Sequence, residues 1–330
     1  MRSSYPLPIA PFVRRHRRVC VSCPHCRTRV KGDVPDAARG SPFGPRLHGL
    51  ALYLKTYQSV SFARLAGMFK EVFGVEVSQG ALANMLKRSH ASFGPAHKEI
   101  LETLRKADVV ASDETGIRVE GINGYHWVFR SDEAVVHDIQ HSRAAQVVRD
   151  IMGDHRPKIW LSDGYSAQQK HAEHHQTCLA HLARDIAYGQ EASGDLLPFH
   201  LRLWMNRVFA LAKDIASYAA SSIARKKREL EQTLSELLRR PSPCDTAEDL
   251  RKKMLRASPK LLTFLDFPGE VDATNNACER DLRPSVIQRK VTNGFRSMWA
   301  AKGDCAVRTV ADTAKLRGQT PWKTINLTLA

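Results

Sequence analysis

Two aspartates in this 330-residue chain each follow a serine at the end of a short apolar run. Residues 108–111 (DVVA) lead into Ser112-Asp113, and residues 158–161 (KIWL) lead into Ser162-Asp163-Gly164. A third acid, Glu279, stands in Thr274-Asn275-Asn276-Ala277-Cys278-Glu279-Arg280. There Thr274 or Asn275 can cap a helix and put Glu279 in its first turns. The carboxyl ends of parallel strands are where α/β folds build sites. Converging carboxylates suit magnesium, with manganese as its substitute, because hard cations prefer oxygen ligands. Such ions serve phosphodiester displacement by activating the attacking oxygen and stabilising the leaving one. Taken singly, each acid has a plainer explanation, since charged side chains mostly face solvent and strand-end aspartates often cap turns.

The charge balance narrows the chemistry. The chain carries 50 Lys and Arg against 34 Asp and Glu, a net charge of +16 and a pI near 9.7. That surplus points to a polyanion, because each neutralised phosphate releases condensed counterions. No apolar run approaches the ~20 residues of a membrane helix, and no apolar signal core follows the basic N-terminus, so a cytoplasmic protein without a membrane partner is expected. Seven cysteines, an odd number, fit reduced thiols better than a disulfide framework.

The elements that must position these acids follow in order. Residues 1–45 are rich in Arg, Pro and Gly and hold a basic run, 14–18, then Cys20, Cys23 and Cys26. Cys23-Pro24-His25-Cys26 is the CxxC of half a zinc ribbon, but a closed site needs four ligands and no second CxxC exists. Zinc at Cys23 and Cys26 therefore competes with simple reduced thiols. Residues 46–106 read as helical, with Leu47, Leu50, Leu54 and Tyr57 on one face. Ser61 begins a helix carrying Phe62, Leu65 and Phe69. A break at 73–75 follows, and Ser78 begins a second short helix with Leu82, Met85 and Leu86, ending at Lys87 and Arg88. This is a helix-turn-helix candidate, with Lys87 and Arg88 as DNA contacts; a purely packing hairpin is the alternative.

From residue 107 strands take over: 108–111, then a hairpin of 125–129 and 134–139, a helix over 144–152, and a strand at 158–161 parallel to the first. His171, His174 and His175 read as a polar helix face. Residues 196–265 are long, charged and helical, with a stripe of Leu201, Trp204, Val208, Leu211 and Ile215. Helical signals resume from Asn275.

Several separated blocks, in order, resemble the transposases of the insertion-sequence-66 family, within the Asp-Asp-Glu transposase superfamily. They are SDETG (112–116) with GYHWVF (124–129), SDGY (162–165), CLAHLARD (178–185) and TNNACERDLRP (274–284), continuing through 286–290 to a turn at Gly294. The last block is the most specific, and the resemblance spans about 45–317. It implies an α/β fold with a ribonuclease-H-like catalytic core over 107–330, interrupted by a helical insertion at about 190–268. A helical DNA-binding region, 46–106, and a partial zinc-ribbon-like segment, 1–45, precede it. It makes Asp113, Asp163 and Glu279 the metal-binding catalytic triad, and Cys178 and His181 structural supports of the site. Arg280, Arg283, Arg289 and Lys290, clustered after the third acid, are expected to meet DNA phosphates. Neither a first zinc knuckle nor the leader helices often found farther upstream precede Cys23, which fits a truncated copy, a shortened variant or a mis-assigned start alike.

The function expected is metal-dependent hydrolysis and strand transfer at the ends of an insertion sequence, by a homo-oligomer holding terminal repeats and target DNA. The alternatives are an inactive or truncated remnant that only binds DNA, and a ribonuclease or junction nuclease on the same fold.

Overall fold

The computed structural model describes residues 11–34 and 41–329 of the chain. They fall into two compact units: Met1–Lys98, Arg118–Gly121 and Pro284–Ala330 in one, and Glu99–Ile117 and Ile122–Arg283 in the other.

The first unit opens with a hairpin of β1 (Cys20–Ser22) and β2 (Arg29–Lys31), paired antiparallel around the Cys23–Cys26 turn. Helix α1 (Pro45–Leu52) runs into a π-turn, Tyr53–Tyr57. Its buried face is Gly49, Ala51, Leu52, Lys55 and Thr56, not the Leu47, Leu50, Leu54 and Tyr57 stripe expected from spacing. The π-turn changes the residue spacing, and Asn326 lies where a side chain on Gly49 would project.

Helix α2 (Phe62–Phe73) is capped by the Ser61 hydroxyl, which accepts from the Arg64 N–H, and is closed by Gly74 in the left-handed conformation (φ 64°). The Ser78 hydroxyl likewise accepts from the Ala81 N–H at the start of α3 (Gln79–Leu104). The sequence suggests a helix ending at Lys87 and Arg88; instead α3 continues for 26 residues, through Pro95. Burial explains the extension, because Phe93, Ile100 and Leu104 continue the apolar stripe of Leu82, Met85 and Leu86 past the Gly94-Pro95 break signal.

A five-stranded sheet follows, made of β3 (Val109–Val119), β4 (Ile122–Arg130), β5 (Val135–Gln140), β6 (Ile159–Ser162) and β7 (His174–Thr177) in the order β5-β4-β3-β6-β7. β3 and β4 are joined by Glu120 and Gly121, both at positive φ, as two-residue hairpin turns require. β4 and β5 pair antiparallel, while β6 pairs parallel with β3 and β7 parallel with β6. Helix α4 (Ala145–Met152) forms the crossover from β5 to β6 and buries Val147 and Val148. The sheet is therefore mixed, and the fold is α/β.

Two readings of this region need correction. β3 does not stop before Asp113 but runs on to Val119, because Ile117 and Val119 alternate inward around exposed Arg118. His174 and His175 begin a strand rather than lying on a helix, with Gln176 and Thr177 buried beside β6. Gln176 is satisfied there by the Thr177 and Leu261 carbonyls and the Phe264 N–H.

Helices α5 (Leu179–Ala192), α6 (Leu197–Lys213), α7 (Ala220–Leu238) and α8 (Asp245–Ala257) pack around Leu201, Trp204, Val208, Leu230, Leu234, Leu250 and Met254. This core is continuous with Ile159 and Leu161 of β6, so the helices brace the strand that leads into Asp163. The chain closes with α9 (Asn276–Thr292), α10 (Met298–Leu316) and α11 (Pro321–Thr328). No described helix is long and apolar enough to cross a membrane.

Candidate active site

The two aspartates sit on neighbouring parallel strands. Asp113 lies just beyond the last paired residues of β3 and β6, Ala111 and Leu161, and Asp163 directly follows Ser162 at the end of β6. Each is oriented by its own chain: an Asp113 Oδ1 accepts from the Glu114 N–H and an Asp163 Oδ1 from the Tyr165 N–H, both at 2.9 Å. Glu279 stands in the first turn of α9. That helix start is tied to the strands through Asn275, whose amide donates to the Ser112 carbonyl (2.8 Å) and whose N–H donates to Cys178 Sγ (3.1 Å).

The Asp113 carboxyl feels its acidic neighbours. Burial, the neighbouring Glu114, and the Asp163 and Glu279 charges raise the Asp113 carboxyl to about 7. Neither Asp113 nor Asp163 has a cationic partner within salt-bridge reach among the described residues. Glu279, by contrast, accepts from Arg184 at 3.1 Å and lies 3.7 Å from His181 Nε2. Cys178 stands at the N-cap position of α5, and its thiol is pushed up by burial. Cys278, in the first turn of α9 beside Glu279, is buried and also pushed up, first by burial and then by Asp113. Both thiols are thus neutral packing groups against the acids.

Glu114, unnoticed in the sequence, is a fourth acid of the cluster. Its side chain is 2% exposed and is neutralised in place: Arg143 lies 2.7 Å from Oε1 and the Gln168 amide donates to Oε2 at 2.6 Å. Gln168 in turn accepts from Ser112 Oγ and from Trp160 Nε1. This chain of bonds, Arg143–Glu114–Gln168–Ser112, continues to Asn275 and the start of α9. The only hint of it in the sequence was the glutamate beside Asp113.

The donor chemistry fits a divalent cation: oxygen ligands, two aspartates with no ion-pair partner among the described residues, and one of them raised to about 7 by burial and neighbouring acids. Among the described residues no three His, Cys, Asp or Glu side chains are grouped tightly enough to hold a metal unaided. Magnesium does not need such a cage, since it commonly takes one or two carboxylates and completes its shell with water and phosphate oxygens.

The expected DNA contacts divide between elements. Arg280 and Arg283 are exposed on the first half of α9; Arg289 and Lys290 occupy its last turns. Lys87 and Arg88 are exposed on α3, where Lys87 lies over the Trp299 ring at 5.3 Å. In the N-terminal hairpin, Cys26 Sγ lies 3.2 Å from Thr28 Oγ1, and hydrogen bonds that Thr28 gives to the thiolate lower this thiol to about 7. Cys23 and Cys26 thus form a two-ligand turn, with no closed set of ligands among the described residues.

A mixed sheet with uncompensated acids on its central parallel strands defines an α/β protein with a carboxylate site. The family model described as Transposase IS66 family matches residues 40–303, and the chain belongs to this family. It is also 26% identical over 294 residues to the uncharacterized protein y4qI of Sinorhizobium fredii, covering 78% of this chain and 53% of that one. The chain therefore spans about half the length of the curated relative it matches.

Proposed function

We propose that this protein is a divalent-metal-dependent DNA transposase of the Asp-Asp-Glu type. It would hydrolyse a phosphodiester at the ends of an insertion sequence and join the freed 3′-hydroxyl to target DNA. The observation that carries the reading is the pair Asp113 and Asp163, at the ends of the paired stretches of adjacent parallel strands, neither of them in an ion pair. The strand order, a three-strand meander followed by two parallel strands, supports a ribonuclease-H-like core interrupted by the helices after β7. The +16 charge supports a DNA substrate.

In this reading Asp113 and Asp163 hold magnesium or manganese, with Glu279 as the third ligand. When bound, the metal supplies activation of the attacking oxygen and stabilisation of the leaving one. Ser112, Gln168 and Asn275 keep the two strands and α9 in register, so the acids need no reorganisation. Arg184 and His181 hold Glu279 by its carboxylate and fix its rotamer. Arg280 and Arg283, with Arg289 and Lys290 farther along α9, neutralise strand phosphates, and Lys87 and Arg88 meet the terminal repeats. Function on paired ends requires more than one protomer.

The test is cleavage of a supercoiled plasmid carrying the element's ends, in magnesium and in EDTA, by wild type, Asp163→Asn and Glu279→Gln. We expect metal-dependent nicking by wild type alone, with DNA affinity retained in both variants. Cleavage at equal rates by Glu279→Gln would sink the triad assignment. Binding without cleavage by the wild type would favour a remnant that only binds DNA, and preference for RNA–DNA hybrids a ribonuclease.

A further inference from the structure

Arg143 is not accounted for by holding metal, yet it lies at the edge of the acid cluster. It belongs to the connection between β5 and α4, which is fixed locally: the Ser142 carbonyl accepts from Trp127 Nε1, and Ser142 Oγ accepts from the Ala144 N–H. The guanidinium lies 3.8 Å from the centroid of Tyr165 and 5.7 Å from that of Tyr125. Its Nε and Nη2 both meet Glu114 Oε1 at 2.7 Å, while its side chain stays 39% exposed. One edge of the fork is thus spent on a sealed carboxylate, one face on a tyrosine. The Nη1 edge has no protein partner among the described residues. Tyr165 is two residues from Asp163 and donates its N–H to that carboxylate, and the Arg143 charge acts on Asp163, so the fork lies beside the metal-ligand candidates.

An arginine pinned by a buried glutamate is held for a purpose that a solvated arginine would not need, because the pinning costs side-chain entropy and buries Glu114. Guanidinium forks match phosphate oxygens, and aromatic rings beside them accept bases of an unpaired strand. We propose that Arg143, oriented by Glu114 and Tyr165, is a binding site for a backbone phosphate of single-stranded DNA at the active site. This rests on the proposed strand-cleaving reading but is measured separately from it.

The probe is a fluorescein-labelled single-stranded oligodeoxynucleotide, titrated by anisotropy against the full chain over a range of salt, in magnesium and in EDTA. Arg143→Ala alone leaves Glu114 charged and buried, so the informative variant is Arg143→Ala with Glu114→Gln, which removes the pair together. It should bind about tenfold more weakly, with the slope of log K against log salt reduced by about 0.7, the loss of one phosphate contact on a single strand. Tyr165→Leu, which keeps the backbone bond to Asp163 and the Glu114 pair, should weaken binding about threefold or more, while Tyr165→Phe matches wild type. A wild-type slope and affinity in the double variant and in Tyr165→Leu would overturn the proposal. If wild type bound but never cut, and these losses still appeared, the platform would stand and the catalytic reading would fall.

Discussion

At the residue scale the site's most telling group is Asp113. Its carboxyl is raised to about 7 by burial and by the Glu114, Asp163 and Glu279 charges. A raised folded-state value means that the folded protein keeps a proton which the unfolded chain has released. Stability therefore falls as pH climbs from the unfolded value near 3.8 to about 7, and is level above that. Asp113→Asn removes the penalty, so the metal-free variant should be more stable than wild type at about pH 8, by up to roughly 4 kcal/mol, and equal to it near pH 4. Melting curves in EDTA at both values check this; a variant less stable at the higher pH would show that Asp113 is satisfied there. Magnesium should raise the melting temperature of wild type and not of Asp113→Asn, since a cation supplies the counter-charge that the substitution makes unnecessary. The three candidate acids stand out in the sequence because each lies in a short distinctive string. Glu114 and Arg143 are 29 residues apart in the chain. Their pairing depends on how the β5–α4 connection meets β3, which no local pattern encodes.

At the scale of elements, the parallel strands that flank the acids were legible from their apolar runs, 108–111 and 158–161, and the β4–β5 hairpin from two β-rich runs on either side of 130–133. What escaped were elements built of polar residues. β7 is His-His-Gln-Thr and is a strand only because Gln176 finds three backbone partners there. The second half of β3 reads as a polar loop, yet it ends on a bridge between Val119 and Phe295, in which the Phe295 N–H donates to the Arg118 carbonyl (2.8 Å) and the Glu120 N–H to the Phe295 carbonyl (3.0 Å). That bridge depends on Gly294, at φ 99°, where an added Cβ would strike the Arg118 backbone. Gly294→Ala should therefore destabilise the protein by about 2–4 kcal/mol, from strain and clash together. Gly94→Ala, in open space within α3, should be neutral or stabilising by up to about 1 kcal/mol. Urea denaturation of both variants measures the difference, and equal stabilities would mean that the 118–120 to 295 bridge contributes little.

For the molecule as a whole, the charge of +16 is the property that the sequence states most directly and the fold leaves in place. Exposed cations recur on separate elements: Lys87 and Arg88 on α3, and Arg280, Arg283 and Lys290 on α9. Several acids are at the same time taken out of play by ion pairs, as Asp281 is by Arg130 (2.7 Å), Glu248 by Arg251 (2.6 Å) and Asp185 by Lys253 (2.5 Å). A duplex lying along such cations loses about one condensed counterion for each phosphate neutralised, so log K for duplex DNA should fall linearly with log salt at a slope of about −4 to −8. Removing Arg280 and Arg283 together should make that slope shallower by about 1.8 units without changing sequence preference, since phosphate contacts position a duplex but do not read it. Removing Lys87 and Arg88 should weaken binding and, if α2 and α3 read the terminal repeats, also narrow the gap between repeat and random DNA. Anisotropy titrations at several salt concentrations separate these outcomes. A flat salt response in the wild type would mean that the basic surface serves solubility rather than DNA.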